Sequence, residues 1–275
     1  MTKTICFSID VEPDFGNLLP KDQYHGKLHL STLKRIVDEY DLKITAFVTG
    51  KTLEDNPDII DSLRSMKAEI EQHSYSHLTS GDSKIKDIAQ GIEAHKRLLG
   101  TLPIGYRAPK GMITKQELLY LGKSGIKFDS SVFPTVFPGR YSRVGFPTEP
   151  FNVEGSNIIE MPFATVPTVR IPITLSYMQL LGLKIFQFLF RLFGLPNLIV
   201  YDFHTFELGI TPSYSELTLI PRFGYYRAQR NYKDPAVVFE EFVKYILAKG
   251  YKSKYMIDVY KQLPPNLQVW RWNGD

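Results

Sequence analysis

Apolar runs of strand length alternate with amphipathic helical segments over the first half of the chain. Thr4–Val11 and Ile44–Val48 have the composition of buried strands, and between them apolar residues recur with helical spacing across Leu30–Tyr40. Strand–helix–strand units with short connections give parallel strands joined by crossover helices. The predicted fold class is therefore α/β, and in an α/β barrel the functional side chains gather at the carboxyl ends of the strands.

Length and composition agree with this class. The chain has 275 residues, 43% hydrophobic and 23% charged, so residues 1–275 are expected to form one domain with a large core. A formal charge of +4 favours anionic substrates or a membrane surface but does not indicate a nucleic-acid partner. The single cysteine, Cys6, excludes a disulfide framework and suits a reducing compartment. Because no long apolar run precedes the first strand, no signal peptide is expected and a cytoplasmic location is predicted.

Two histidines within the segment Glu71–His77 indicate a site. His73 and His77 are four residues apart, so in a helical turn both imidazoles would point to one side and reach one metal ion. A divalent metal usually takes a carboxylate as well and keeps one position for water. The alternative is a pair of polar loop residues, because this spacing alone is a weak signal.

Candidate carboxylates lie at the end of the first strand. Strand side chains alternate with a period of two, so Asp10 and Glu12 share one face, and Pro13 then ends the ladder. Buried carboxylates need a partner, which favours a functional site over a purely stabilising role for these two acids. A solvated turn is the alternative, and Asp14 by itself fits that description.

Five short motifs follow one another between residues 10 and 207. They are Asp10-Val11-Glu12, His73-Ser74-Tyr75-Ser76-His77, Arg107-Ala108-Pro109, Asp129-Ser130-Ser131 and Tyr201-Asp202-Phe203-His204-Thr205-Phe206-Glu207. Together they resemble the motifs of the polysaccharide deacetylases, the carbohydrate esterase family 4 or nodulation-type deacetylase group. The resemblance implies a distorted (β/α) barrel with seven strands. It also implies metal-dependent removal of an N-acyl group, expected to be N-acetyl, from an amino sugar in a glycan or lipid-linked saccharide.

The resemblance implies that His73 and His77 hold a divalent metal, expected to be zinc, with Glu12 as the third ligand. Two departures from the family pattern bear on this site. Many members have adjacent aspartates in the first motif, whereas here the second acid follows two positions later, so Asp14 stays a competitor for the third ligand. Lys110 follows the proline of the third motif, where an aromatic residue or glycine is usual.

The same resemblance implies the acid–base groups. Asp10 would be the general base, kept ionised by Arg107, and Asp129 would orient and charge His204, the general acid. These residue types also suit amide hydrolysis on their own, because a carboxylate can take a proton from water and an imidazole can protonate the leaving amine. A backbone N–H near Pro109-Lys110 is expected to help hold the oxyanion.

Two other functions stay open at this stage. Some relatives with altered motifs act on cyclic ureides or imides, so a C–N hydrolase of small cyclic amides is one alternative. The other is a catalytically inactive glycan-binding protein, which should lack the base or the acid, although Asp10 and His204 are both present. Trp270 and Trp272 are candidates for stacking on sugar or, alternatively, for a tail docked on the barrel.

An unusually apolar element lies near residues 173–193, and its most apolar part is Met178–Phe193. Lys184, Gln187 and Arg191 form one narrow polar stripe of a helix, and nearly everything else in Met178–Phe193 is apolar. The element is too short for a membrane span, which needs about 20 apolar residues. A buried crossover helix, a homo-oligomer interface and a peripheral contact at the inner face of the membrane are the three interpretations. In the last case three nearby arginines would meet lipid phosphate: Arg222, Arg227 and Arg230.

Overall fold

The computed structural model describes residues 3–19, 21–137, 141–217 and 232–272. The strands are β1 (Thr4–Val11), β2 (Ile44–Val48), β3 (Glu69–Gln72), β4 (Gly105–Tyr106), β5 (Phe128–Asp129), β6 (Val136–Phe137), β7 (Tyr141–Ser142), β8 (Phe151–Val153), β9 (Ile159–Glu160), β10 (Leu198–His204), β11 (Lys252–Ser253) and β12 (Val269–Trp270). The α-helices are α1 (Leu30–Tyr40), α2 (Gly50–Asp55), α3 (Pro57–Ser65), α4 (Lys84–Leu99), α5 (Lys115–Lys123), α6 (Leu175–Leu181), α7 (Leu183–Phe193), α8 (Tyr214–Leu217), α9 (Ala236–Ala248) and α10 (Met256–Gln262). The bounds of β1, α1 and β2 are those that the sequence predicted.

A mostly parallel sheet forms the framework, in the order β10-β1-β2-β3-β4-β5-β9-β8-β12. Every pair from β10 to β9 is parallel, whereas β8 is antiparallel to β9. Asp10 at the end of β1 is the register partner of His204 on β10 and of Phe47 on β2. The carboxyl ends of these strands therefore meet at one edge of the sheet, which confirms the predicted α/β class.

The ring of paired strands stays open in the described part of the chain, unlike a fully closed barrel. Residues 161–174 span the gap between β9 and β10 without forming a regular strand: the Ala164 N–H donates to the Val200 carbonyl at 3.0 Å, and Thr174 bridges to Asp202. Three prolines interrupt this segment: Pro162, Pro167 and Pro172. Because proline has no N–H to donate, a continuous ladder cannot form there.

The alternation of β1 separates the helix layer from the interior of the sheet. Ile5, Phe7 and Ile9 pack in the main core with residues of α1, α7 and α9. Cys6 faces a second cluster in the interior, where burial raises the pKa of its thiol, as expected of a buried residue. Each large apolar side chain buried in these clusters contributes about 1.5–3 kcal/mol. The same alternation carries Asp10 to the inner face.

The apolar element near residues 173–193 folds as two helices rather than one. Gly182, with φ of 90°, separates α6 from α7, and Gly194 follows the end of α7. Among the described residues, no helix combines the length and the apolar character that crossing a membrane requires. The three arginines expected near this element, Arg222, Arg227 and Arg230, lie outside the described residues.

The two tryptophans near the carboxyl terminus pack against the body of the protein. Trp270 lies in β12, which pairs with β8, and Trp272 is only 4% exposed. The ring of Phe146 contacts both indoles, with centroid distances of 5.3 and 4.9 Å. The docked-tail interpretation is therefore confirmed for these residues.

Candidate metal centre and active site

Glu12, His73 and His77 form one tight group at the carboxyl edge of the sheet. The Glu12 Oε2 atom lies 3.0 Å from His73 Nε2 and 2.5 Å from His77 Nε2. The ligand atoms of the three side chains all lie within 4.8 Å of one another, and the residues are almost fully buried. The structure thus brings together the two imidazoles and one of the two carboxylates considered from the sequence.

The loop that carries the imidazoles is not helical, which corrects the turn expected from their spacing. Ser74 and His77 both adopt left-handed backbone conformations, with φ of 61° and 62°. Asp87 on α4 holds this loop, because its carboxylate accepts bonds from the Tyr75 and Ser76 backbone N–H groups at 3.2 and 3.0 Å. It also accepts a 2.6 Å bond from the Ser76 hydroxyl. The convergence of the imidazoles therefore depends on this anchor rather than on helical periodicity.

The bonding of His73 shows that this group fits a cation. Its Nδ1 lies 2.8 Å from the carbonyl oxygen of Arg107, which can only accept, so the proton of the neutral ring is on Nδ1. The Nε2 lone pair of the neutral ring then faces the Glu12 carboxylate at 3.0 Å, and these two groups repel unless a proton or a metal cation lies between them. Two imidazole nitrogens and one carboxylate oxygen are a usual zinc ligand set, and a carbonyl behind the ring is its usual support.

Charge interactions within the group are strong. Burial alone would raise the pKa of Glu12, but the imidazoles of His77 and His73 lower it well below its ordinary range. Burial lowers the pKa of His77. For His73, the Asp10 and Glu12 carboxylates outweigh burial and raise the pKa. Metal binding requires an ionised carboxylate and unprotonated imidazoles, so the shifts of Glu12 and His77 favour it, whereas His73 would release a proton when a metal binds.

Gly16 packs directly against the His77 ring. A Cβ added at this glycine would lie 2.7 Å from His77 Cε1, and its φ of 60° is a left-handed conformation. A larger residue here would have to push the imidazole away from Glu12.

Asp14, the competing third ligand, lies outside this group. Its carboxylate accepts a 2.9 Å bond from the Gly26 N–H and a 2.5 Å bond from the Ser213 hydroxyl. Burial raises its pKa. The structure thus places Glu12, and not Asp14, beside the two imidazoles.

Arg107 lies under the group and fixes two acids. Its Nη1 donates to Asp10 Oδ1 at 2.7 Å, the contact expected from the sequence, and to Asp202 Oδ1 at 2.8 Å. The guanidinium is 1% exposed and lies between the rings of Phe47 and Phe163, 4.1 and 4.4 Å from their centroids. Such a fully bonded and stacked arginine holds both carboxylates in fixed positions.

Asp202 is a site residue that the sequence analysis did not single out. Burial, and then the neighbouring Asp10 carboxylate, raise its pKa to about 7, although Arg107 opposes the shift. An available signal was its position in a buried strand two residues before His204, since residues with that spacing share a face.

His204 faces the acids from β10. Its Nε2 lies 3.9 Å from Asp10 Oδ2 and 4.0 Å from Glu12 Oε1. Its Nδ1 lies 3.4 Å from Glu207 Oε2, which also accepts the His204 backbone N–H at 2.9 Å. Burial alone would lower the pKa of His204, but the carboxylates of Glu207, Asp202 and Glu12 raise it well above its ordinary value. The surrounding carboxylates thus favour the protonated form of this imidazole.

Asp129 has other partners than the expected His204. Its Oδ1 accepts a 2.7 Å bond from the Ser131 hydroxyl, and its register partner on β9 is Glu160. Burial raises the pKa of Asp129, and burial together with the Asp129 charge raises that of Glu160 well above its ordinary value. The carboxylates nearest to His204 are those of Asp10, Glu12 and Glu207, and Glu207, rather than Asp129, lies beside its Nδ1.

Pro109 and Lys110 lie in a short 3-10 turn, Pro109–Gly111, that follows Arg107 closely. Lys110 is half-buried and left-handed, with φ of 54°, and its charge helps to lower the pKa of His77. The third motif is linked to the fourth here, because the Ala108 N–H donates to the Ser131 hydroxyl at 2.7 Å. The residues expected to meet the oxyanion thus lie next to the imidazole pair.

Comparisons with known proteins agree with this arrangement. Residues 22–128 match the family model of the polysaccharide deacetylases. The peptidoglycan deacetylase of Helicobacter pylori is 29% identical over 129 residues, which are 44% of this chain and 43% of that protein. The aligned region therefore spans less than half of the length of this relative.

Solved structures share the fold at low sequence identity. A family 4 carbohydrate esterase from Bacillus anthracis matches with a TM-score of 0.53 and 15% identity, over 95% of this chain and 84% of its own. An allantoinase matches with a TM-score of 0.60 and 12% identity, over 94% of this chain and 89% of its own. Sequence and fold together confirm the resemblance of this chain to the polysaccharide deacetylase family.

Proposed function

We propose that this protein is a metal-dependent hydrolase that removes an N-acyl group, in the first instance N-acetyl, from an amino sugar. The observation that carries the proposal is the convergence of Glu12, His73 and His77 beside Asp10, with His204 facing both acids. This arrangement offers ligands for a metal, an acceptor for a proton and a donor for the leaving nitrogen. The family resemblance supplies the amino sugar as the substrate class.

Glu12, His73 and His77 would hold the metal, and zinc is proposed because two imidazoles and one carboxylate are a frequent ligand set for catalytic zinc. When bound, a divalent metal lowers the pKa of a water molecule and polarises an acyl carbonyl. Pro109 and Lys110 stay the candidates for contact with the acyl oxygen, because the Lys110 charge already acts on His77.

Asp10 is the proposed general base. Arg107 engages its Oδ1 at 2.7 Å, so Oδ2 is the oxygen turned towards His73 and His204, at 3.7 and 3.9 Å. This second oxygen can take a proton from a water held between the group and the substrate. Arg107 keeps the carboxylate oriented while it does so.

His204 is the proposed general acid. Its raised pKa keeps the ring protonated at neutral pH, and its Nε2 points at the same space as Asp10 Oδ2. Proton transfer from Nε2 to the departing nitrogen completes the hydrolysis, with Glu207 supporting the ring from the Nδ1 side. Base and acid thus lie on neighbouring strands, with 3.9 Å between Asp10 Oδ2 and His204 Nε2.

The test measures bound metal by elemental analysis, and then acetate and formate release. The substrates are N-acetylated oligosaccharides, peptidoglycan fragments, N-formyl amino sugars and a cyclic ureide. Acyl release that is lost on chelation and restored by zinc is expected, with Asp10→Asn as the inactive control. Turnover of the cyclic ureide alone would assign the protein to C–N bonds of small cyclic amides. Metal-loaded protein that turns over none of these substrates would contradict the proposal.

A further inference from the structure

Helix α7 is apolar on two opposite faces, and only one of them is buried. Its inner face, Leu183, Phe186 and Phe190, packs in the main core. We define the outer face of α7 as Ile185, Phe188 and Leu192 with the flanking cations Lys184 and Arg191. Its three apolar residues are 49%, 57% and 60% exposed, and they follow the helical spacing of a continuous stripe. A helix that covers one side of a sheet needs a single apolar face, so the second stripe lacks a partner among the described residues.

The charge on this face has one sign. Helix α7 contains two charged residues, Lys184 and Arg191, and both are cations. No carboxylate of the described residues forms an ion pair with Lys184 or Arg191, which therefore present their charge to the surroundings.

Helix α1 shows how an ordinary outer face of this protein is built. There Lys34 pairs with Asp38 at 2.6 Å, and Arg35 pairs with Glu39 at 2.9 Å and with Glu240 of α9 at 2.6 Å. Charges of both signs neutralise one another on α1, whereas α7 combines exposed aliphatic and aromatic groups with cations alone. The outer face of α7 is thus distinct from a solvated helix face on the same molecule.

We propose that the outer face of α7 binds an anionic lipid membrane, with the helix lying flat in the interfacial region. Apolar side chains that enter the acyl boundary and cations at its edge are the two features that interfacial helices use. Leu180, at the end of α6, is a further exposed apolar residue, at 42%. This inference does not depend on the catalytic proposal, because none of these residues belongs to the active site.

A second copy of the chain fits this face less well. Two copies that meet through α7 would bring Lys184 and Arg191 of each protomer towards those of the other, without an acidic residue on either helix. Juxtaposed like charges oppose such an interface. Anionic phospholipid headgroups complement the same cations.

The experiment is flotation of the purified full chain with phosphatidylcholine vesicles that contain or lack phosphatidylglycerol, at low and at high salt. The double variant Phe188→Ser/Leu192→Ser removes the apolar stripe, and Lys184→Gln/Arg191→Gln removes the charge. Leu102→Ser is the matched control, because Leu102 is an equally exposed apolar residue, at 52%, outside α7.

The wild-type chain and the Leu102→Ser control are expected to float with anionic vesicles at low salt and to dissociate at high salt. Loss of the apolar stripe should weaken partitioning at least tenfold, and loss of the two cations by about fivefold each. Absence of flotation at low salt overturns the proposal. Two other results would also overturn it. One is a dimer in sedimentation that Phe188→Ser dissociates, and the other is a strongly lowered melting temperature of Phe188→Ser, measured without vesicles. Either result would show that protein already covers the outer face of α7.

Discussion

Glu12 and Asp14 follow the same strand two residues apart and are 4% and 1% exposed, yet their neighbours differ in kind. Asp14 is surrounded by hydrogen-bond donors, the Gly26 N–H and the Ser213 hydroxyl, which satisfy its oxygens. Glu12 Oε2 is surrounded by the Nε2 atoms of His73 and His77, and the neutral His73 ring, with its proton on Nδ1, offers a lone pair there. Asp14 is thus satisfied by donors of the fold, whereas Glu12 needs a proton on an imidazole or a metal ion.

The comparison shows that burial alone does not distinguish a metal ligand from a structural acid. What distinguishes them is whether the surrounding atoms donate protons or offer lone pairs. A buried carboxylate that accepts N–H and O–H bonds stabilises the fold, because each bond is worth roughly 1 kcal/mol and leaving its donor unpaired costs more. A buried carboxylate that faces imidazole nitrogens is stabilised only when a positive charge, a proton or a metal ion, lies between them.

The largest effect that follows from this difference concerns Glu12. Glu12→Gln should lose the metal and nearly all activity, because an amide offers a weaker, uncharged ligand. We expect the metal affinity to fall by more than the roughly 100-fold that changes outside the ligand set can cost. Asp14→Asn is the matched control and should keep one metal per chain in elemental analysis. The opposite result, an emptied site in Asp14→Asn with full occupancy in Glu12→Gln, would reverse the comparison.

The next largest effect separates metal binding from proton transfer. Asp10→Asn and His204→Gln should each retain the metal and lose about 10²–10⁴-fold in turnover, because neither side chain is a proposed ligand. Steady-state acetate release on metal-loaded protein measures this loss. If either variant arrived without metal, that residue would belong to the ligand set.

A third effect acts on the metal group through the loop that carries it. Asp87→Ala removes three bonds to residues 75 and 76 and leaves every proposed ligand in place. We expect a fall of about 10–100-fold in metal affinity, as for other supporting groups. Competition with a chromophoric chelator measures it, and excess zinc should restore turnover in this variant but not in Asp10→Asn. Unchanged affinity would show that the left-handed loop holds its shape without the anchor.

On the other side of the comparison, Asp14→Ala should cost stability rather than metal. It leaves the Gly26 N–H and the Ser213 hydroxyl without their acceptor, which is expected to lower the free energy of unfolding by about 1–3 kcal/mol. Urea denaturation measures the loss, with Asp14→Asn as the milder variant. A stable Asp14→Ala protein with reduced metal content would mean that Asp14 serves the metal group after all.

Local periodicity was sufficient to predict much of this arrangement. The bounds of β1, α1 and β2 follow from apolar spacing, and the shared face of Asp10 and Glu12 follows from strand alternation. The loop conformation did not follow, because Ser74 and His77 adopt positive φ values that non-glycine sequences seldom signal. Tertiary bonds to Asp87 impose that conformation, and they join residues 11 and 12 positions apart.

The partner of His204 could not be read from the order of the motifs. Asp129 and His204 both follow strands, but β5 and β10 are separated in the sheet by β1, β2, β3 and β4. Side chains on neighbouring strands meet first, so His204 contacts Asp10 of β1 and Glu207 just after its own strand. Sheet order, which the sequence does not state, therefore decides which carboxylate orients the acid.

A third kind of surroundings occurs at Glu160, whose neighbour is another carboxyl group. Its Oε1 accepts bonds from the Val132 and Ser131 N–H groups at 2.9 and 3.1 Å, whereas its Oε2 and the Oδ2 of Asp129 have no donor nearby in the described structure. One proton held between the two acids satisfies both oxygens, which agrees with the strongly raised pKa of Glu160. In this pair a shared proton takes the part of the metal proposed for Glu12 and of the donors that surround Asp14.

The smallest predicted effect follows from that proton and appears in the pH dependence of stability. Because the pKa of Glu160 is raised on folding, the folded chain binds more protons than the unfolded one above the ordinary glutamate pKa of 4.5. The stability that this bound proton contributes is fully present below that pH. It is lost as the pH rises towards the pKa of Glu160 in the folded chain, by up to about 1.4 kcal/mol per pH unit. Glu160→Gln keeps an acceptor for Val132 and a permanent donor for Asp129, so its free energy of unfolding should fall less between pH 5 and 8, as tested by urea denaturation. The exposed Glu93→Gln is the control and should follow the wild type. If the free energy of unfolding of Glu160→Gln changed with pH as it does in the wild type and in Glu93→Gln, Asp129 and Glu160 would not share a proton.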